Sequence, residues 1–388
     1  MKIAIVAQRY GEEVNGGAEL HARWLAEHLL QLADVDVITS CAIDYNTWAN
    51  DYEPGESELD GIRILRFSVD KERVADMHRR TAEILLQDHT LFDEFRWVKD
   101  QGPYSTDMFD YIRRSYNEYD FFIFFTYLYA PTFFGLPLVS DKAILVPTAH
   151  EEPYIELPAF RGLFHLPRII IYNTEPEWQH VNQVTQNYQV PGIVAGIGIN
   201  VPGTVSGPRF RKKFGIDDDF ILYVGRVDIS KNVPQLLDFY SRYRLDHNRK
   251  LKLVLIGKVN MPLPDNPDIM AMGFVTEEDK FDALQAASAL AVPSKYESLS
   301  MVSLESWLME TPVVANGQCT VLKHQCRQSN GGLYYHTYNE FSQALTLLLD
   351  NPDLRKQLGR QGRDFVKQRY DWDIVVAKYQ AVFEVLST

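Results

Sequence analysis

The chain has 388 residues, 46% of them hydrophobic, 23% charged and 12% aromatic, a length beyond one ordinary domain with enough apolar content for packed cores, so two domains are expected. Its 52 acidic residues against 39 lysines and arginines leave a formal net charge of −13, which argues against nucleic acid as the main partner because phosphate backbones call for a basic surface. Three cysteines (Cys41, Cys319 and Cys326) are too few and oddly numbered for a disulfide framework and point to a reducing cytosol.

The opening Met1-Lys2-Ile3-Ala4-Ile5-Val6-Ala7 carries one lysine and a short β-branched run, which predicts a strand over residues 2–7 rather than a secretory leader. Apolar residues at helical spacing (Leu20, Trp24, Leu25, Leu29) predict a helix over 18–32. Strands follow at 35–39 and 62–67, then a long charged helical stretch from 71 to 99. The most apolar segment, residues 121–139, is long enough to span a bilayer, yet Pro131, Gly135 and Pro137 favour a buried strand, a loop and a short helix. Further strands at 143–146 and 169–172 and a helix over 175–187 complete an alternation that implies a parallel sheet covered on both faces.

Residues 201–208, Val-Pro-Gly-Thr-Val-Ser-Gly-Pro, are the densest run of turn formers and read as a linker. The alternation then restarts, with strands at 220–224, 251–256, 289–292 and 312–315. Helices are expected at 233–243, 277–287, 303–309, 339–349 and 353–369, and a last amphipathic helix at 372–386. The division expected is 1–203, 204–371 and 372–388. Two Rossmann-like α/β domains facing each other would bind ligand in the cleft at their strand C-termini.

Four loops could carry chemistry. Asn15-Gly16-Gly17-Ala18-Glu19 follows the first strand and opens the first helix; its glycines either admit a ligand close to the backbone or form an ordinary flexible turn. In Tyr223-Val224-Gly225-Arg226 and on to Lys231, two cations flank a turn where a diphosphate could bind, or where a solvated cation pair could cap the loop. From Pro293 to Glu305, a strand leads through Glu297, Ser298, Leu299, Ser300, Met301 and Val302 into a helix. Backbone N–H groups there suit phosphate or sugar oxygens, and Glu305 either accepts ligand hydroxyls or is a solvated helix-face charge. His150, in Pro147-Thr148-Ala149-His150-Glu151-Glu152-Pro153-Tyr154, either faces substrate at a strand end or is a satisfied loop histidine. Gly196-Ile197-Gly198 is discarded as a dinucleotide fingerprint because Val201-Pro202-Gly203 stands where a helix should begin. No metal-ligand spacing occurs. Arg79-Arg80 and Arg113-Arg114 read either as a solvated helix face or as a surface for an acidic acceptor or anionic membrane.

In this order, Gly16-Gly17-Ala18-Glu19, His150, Gly225-Arg226 with Lys231, and Glu297 eight residues before Glu305 resemble the retaining glycosyltransferases of family 4, as do Gly198-Ile199-Asn200, Gly273-Phe274-Val275, Tyr296-Glu297-Ser298-Leu299-Ser300 and Tyr370-Asp371-Trp372. The resemblance implies the two-domain GT-B fold with a last helix crossing back to the first domain. It implies transfer of a hexose, glucose as first choice, from a UDP-sugar to a saccharide or lipid-linked saccharide. Catalytic roles fall to Arg226 and Lys231 at the diphosphate, Glu297 at the transferred sugar and His150 at its 6-hydroxyl or the acceptor face. Gly16, Gly17, Gly225, Ser298, Leu299, Ser300, Met301 and Val302 would contact the donor, Glu305 its ribose, and the backbone near Phe274 and Val275 its base; Glu151 and Tyr154 fall on the acceptor side. Many relatives have Phe-Gly where this chain has Ser298-Leu299. No cofactor or metal is expected, and the place expected is the cytoplasm, at the inner face of the membrane through peripheral association. An epimerase or hydrolase of nucleotide sugars, or a non-catalytic sugar-nucleotide or glycan-binding protein, is the alternative.

Overall fold

The structure, a computed structural model, describes residues 1–14 and 16–387; Asn15 of the glycine loop and Thr388 lie outside the described residues. The chain forms two compact units, Met1–Gly198 with the segment from Val375 onward, and Ile199–Ile374. These boundaries fall a few residues from 203 and 371. Asn200 is one reason: its Oδ1 accepts the Trp372 indole N–H at 2.7 Å, so residues just after Gly198 already belong with the second unit.

The first unit holds an eight-stranded sheet: β1 (Lys2–Val6), β2 (Asp34–Ser40), β3 (Gly55–Leu59), β4 (Ile62–Phe67), β5 (Phe121–Phe125), β6 (Ala143–Val146), β7 (Ile169–Tyr172) and β8 (Gly192–Val194), in the order β3-β4-β2-β1-β5-β6-β7-β8. All neighbours are parallel except β3, which runs antiparallel to β4. The sequence reading did not anticipate β3 because its Gly-Glu-Ser-Glu-Leu is polar. Its exposed edge position explains the polarity, and Asp60-Gly61, both at positive φ, make the tight hairpin turn to β4.

Residues 121–139 form β5, with all five residues buried, then the helix Ala130–Gly135 and a 3₁₀ turn. Among the described residues no helix is long and apolar enough to cross a membrane. The expected long helix over 71–99 is two, Met77–Leu86 and Leu91–Gln101, because Thr90 and Asp93 close a reciprocal capping box that starts a new helix. Arg79, Arg80 and Arg113 on these helices and the next are paired with Asp76, Glu83, Asp100 and Asp110, which accords with the solvated-face reading.

The second unit has six parallel strands, β9 (Asp219–Val224), β10 (Leu251–Ile256), β11 (Ile269–Gly273), β12 (Ala289–Val292), β13 (Val313–Asn316) and β14 (Gly332–Tyr335), ordered β11-β10-β9-β12-β13-β14. The predicted linker is shorter than expected, since Gly207–Phe214 is helical, with Pro208 in its first turn, where a missing N–H costs nothing. In both sheets the strand order reverses once, between β1 and β5 and between β9 and β12. Such switch points open a crevice at the strand C-termini in which doubly wound sheets bind ligands. The final helix, Trp372–Ser387, packs from Val375 onward on the first unit: Phe383 stacks on Phe121 at 5.4 Å, and Lys378 Nζ donates to the Ala195 carbonyl. The architecture is the GT-B fold.

Candidate functional site

In the second unit, the loops after β9 and β12 flank the switch point, and both predicted motifs lie on them. Gly225 follows β9 at φ 146°, and a Cβ on Gly257, directly after β10, would stand 2.1 Å from the Gly225 carbonyl oxygen. Glycine at 257 therefore lets the two strand ends close up. The Tyr223 hydroxyl donates to the Arg226 carbonyl at 2.6 Å, and Asp228 Oδ1 accepts the Lys231 N–H at 3.0 Å, so backbone turns fix where both cations emerge. Lys231 Nζ reaches Glu297 Oε1 at 2.8 Å, while the Arg226 guanidinium stays 3.7 Å from Asp228. Asn232 and Asn316 both donate to the Pro293 carbonyl at 2.9 Å, tying the β12 loop to its neighbours.

Glu297 is half-buried, Leu299 and Ser300 are buried, and Ser298, Met301 and Val302 are partly exposed. Ser300 stands at the N-cap of the helix Met301–Leu308 without a side-chain cap; its carbonyl accepts the N–H groups of Ser303 and Leu304, and those of Met301 and Val302 have no intrahelical acceptor. Glu305, one turn further in, is no solvated surface charge: its side chain is 4% exposed and Lys280 Nζ lies 3.0 Å away. Burial raises its pKa, and Lys280 pulls it back. Lys280 belongs to the helix Glu277–Ala286, which Thr276 caps directly after Phe274 and Val275, the loop leaving β11. Phe274 is exposed there.

In the first unit, Gly16 is extended and Gly17 begins the helix Gly17–Leu29. A Cβ on Gly16 would lie 2.1 Å from the Glu19 carboxylate, whereas one on Gly17 would meet nothing within 4 Å. Glu19 is pinned by Arg9 at 2.6 Å and by Gln8 at 3.0 Å, and the Arg9 guanidinium lies over the Tyr45 ring. Gly16 is thus needed by this buried pair, and Gly17 leaves open space at the helix start.

His150 follows β6. Its Nδ1 faces the buried Glu152 carboxylate, whose Oε1 accepts the Tyr127 hydroxyl at 2.5 Å. Thr126 and Thr148, after β5 and β6, both take left-handed backbone conformations, and their hydroxyls meet at 3.1 Å. Such conformations are costly for β-branched residues and collect at functional sites. Beneath the loop, Glu177 accepts the N–H groups of Ala149 and Asn173, each at 2.6 Å. Burial pushes its pKa up to about 8 against those donors. Tyr154 stacks on Trp97 at 5.4 Å, and Glu151 is exposed.

Residues 207–365 match the sequence profile of the glycosyl transferases group 1. The matched residues lie within the second unit. An uncharacterized glycosyltransferase of Methanocaldococcus jannaschii is 25% identical over 191 residues, 46% of this chain and 48% of that protein, so the chain spans about half the length of the curated relatives it matches. Among solved structures, sucrose-phosphate synthase from Thermosynechococcus elongatus superposes with a TM-score of 0.75 at 17% identity, covering 99% of this chain and 98% of that one. HepE of Anabaena, solved with UDP and glucose, gives 0.71 at 14% identity over the whole of both chains.

Within the second unit the structure brings together Gly225, Arg226, Lys231 and Glu297 across the switch point, and Glu305 with Lys280. Glu152, Tyr127, Glu177, Arg9 and Lys280 were not singled out from sequence. A signal existed only for Glu177, which follows Thr174 at capping distance after a strand; the others act through partners 10 to 25 residues away.

Proposed function

We propose that the chain is a retaining glycosyltransferase that moves a hexose, glucose as first choice, from a UDP-sugar to a hydroxyl of a saccharide or lipid-linked saccharide, in envelope or extracellular polysaccharide synthesis. The observation that carries this reading is the 2.8 Å contact of Lys231 with Glu297 across the switch point, beside Arg226: cations for a diphosphate adjoin a carboxylate for a sugar. The group 1 profile supports transfer, and the UDP and glucose in HepE's complex support the choice of donor.

In this proposal Arg226 and Lys231 bind the diphosphate and stabilise it as it leaves, in the manner of fixed electrostatic donors aimed at developing charge. Glu297 holds the sugar hydroxyls, Glu305 the ribose, and the backbone by Phe274 and Val275 the base. Gly16 and Gly17 pass over the phosphate–sugar region. His150 hydrogen-bonds the 6-hydroxyl or holds the acceptor face, with Glu151 and Tyr154 beyond it. The acceptor oxygen attacks the anomeric carbon on the face from which UDP departs. The carbon–phosphate-oxygen bond breaks as the new glycosidic bond forms, and the acceptor proton passes to the departing phosphate oxygen. The work is placed in the cytoplasm at the inner face of the membrane, without a metal.

Thermal unfolding against UDP, GDP, ADP, UDP-glucose, UDP-N-acetylglucosamine and NAD, with and without EDTA, tests the donor site. A ligand at 100 times its dissociation constant adds about 2.7 kcal/mol. A large UDP shift that survives EDTA is expected; a shift with NAD alone, or with none of them, overturns the proposal.

A further inference from the structure

Lys280 lies four residues into the helix Glu277–Ala286, directly after the Phe274–Val275 loop, with its side chain 11% exposed. Its ammonium bridges two carboxylates of opposite character, the exposed Glu277 at 2.7 Å and the buried Glu305 at 3.0 Å. Burial works against the ammonium, and the two carboxylates overcome that, so its pKa ends above the ordinary lysine value. The pair joins two separate elements: Glu305 comes from the helix after β12 and Lys280 from the helix after β11.

A buried lysine–glutamate pair is a poor way to gain stability, because desolvating two charges costs about as much as their attraction returns. The arrangement makes chemical sense if the carboxylate has to stay ionised in a dry place. Lys280 takes Oε1 of Glu305, and Oε2 has no donor among the described residues yet is not sealed from solvent. One oxygen is thus anchored by a cation and the other is left to accept. Hydroxyl groups bind an ionised acceptor more strongly than a neutral one.

We infer that Lys280 is a positioning residue of the donor site, holding Glu305 ionised and oriented so that Oε2 accepts the ribose hydroxyls of the nucleotide. This rests on the reading of Glu305 as the ribose acceptor and adds the residue that makes it one. Lys280 touches no substrate itself. In its absence the desolvated carboxylate keeps a proton and offers a hydroxyl partner no charge.

Calorimetric titration of the full chain with UDP and with 2′-deoxy-UDP reads this directly, because the two differ only in one ribose hydroxyl. Wild-type protein should prefer UDP by about tenfold or more, the scale of a hydrogen bond to a charged group. Lys280→Met should bring the two affinities within about threefold of each other, and Lys280→Arg should restore most of the preference. If Lys280→Met does not fold, Lys280→Gln, which keeps a donor to Oε1 without its charge, should give an intermediate ratio. A folded Lys280→Met or Lys280→Gln protein with the wild-type ratio overturns the role of Lys280. The underlying reading fails separately: Glu305→Gln with an unchanged ratio, or wild-type protein that does not distinguish the two nucleotides, removes Glu305 from the ribose and this inference with it.

Discussion

Arg226 is the residue on which the proposed chemistry leans most. Its carbonyl is tied down by Tyr223, while its guanidinium, 40% exposed, approaches Asp228 no closer than 3.7 Å and meets the Ser230 hydroxyl at 3.5 Å. A backbone held rigidly, with a partly exposed guanidinium at the end of the side chain, suits a group that must meet charge arriving with a substrate. Losing one such transition-state donor typically costs about 10²–10³ in turnover. Arg226→Ala is therefore expected to lower kcat by that amount with sugar transfer from UDP-glucose as the assay. It should leave the melting temperature close to that of wild type, since an exposed ion pair contributes little to stability. A variant with near wild-type turnover would remove Arg226 from the reaction. At this scale the sequence was informative about residue types and silent about partners. Glu297 and Lys231 are separated by 66 positions, and only folding shows that they meet. Glu305 is the opposite case, a charge whose helical position suited solvent and whose burial is visible only once Lys280 stands against it.

Glu177 shows how one side chain binds elements together. It stands three residues past the Thr174 cap, in the first turn of the helix Glu175–Thr185, and its two oxygens take N–H groups from the loops after β6 and β7. It thereby fastens the segment that carries His150 to the strand beside it. Burial raises its pKa from an ordinary value of 4.5 to about 8. A carboxyl that is protonated in the fold and ionised in the open chain contributes stability that is complete below about pH 4.5 and is lost as pH rises through about 8. Urea unfolding at pH 5, 7 and 9 should show that decline in wild type relative to Glu177→Gln, whose side chain does not titrate. The variant should also cost about 1–3 kcal/mol at pH 5, since an amide cannot accept from both N–H groups. Parallel pH curves for the two proteins would show that Glu177 does not titrate in this range. Elements were legible where hydrophobic runs were long, as in β5 and β12. They were not where polarity had a local cause: β3 is an edge strand of glutamate and serine, and the helices on either side of residues 87–90 form one charged stretch until the Thr90 capping box divides it.

On the scale of the molecule, the last helix starts in the second unit and ends as part of the first. Val375, Val376, Tyr379, Val382 and Phe383 are each at most 5% exposed. Burying an aliphatic or aromatic side chain contributes about 1.5–3 kcal/mol as an upper estimate, so five of them approach the whole stability of a typical domain, about 5–15 kcal/mol. Deleting residues 375–388 should therefore unfold the first unit at ambient temperature. The second unit ends at Ile374 and keeps its own six-stranded sheet, so a transition that UDP still shifts should survive the deletion. Phe383→Ala, a milder change that empties the stack on Phe121, should cost about 3–5 kcal/mol and lower only the first unit's transition in differential scanning calorimetry. If the deleted chain melts as the full chain does, the helix is an appendage and the first unit is complete without it. If both transitions vanish together, the units do not fold independently, and the nucleotide site needs the first unit to exist at all.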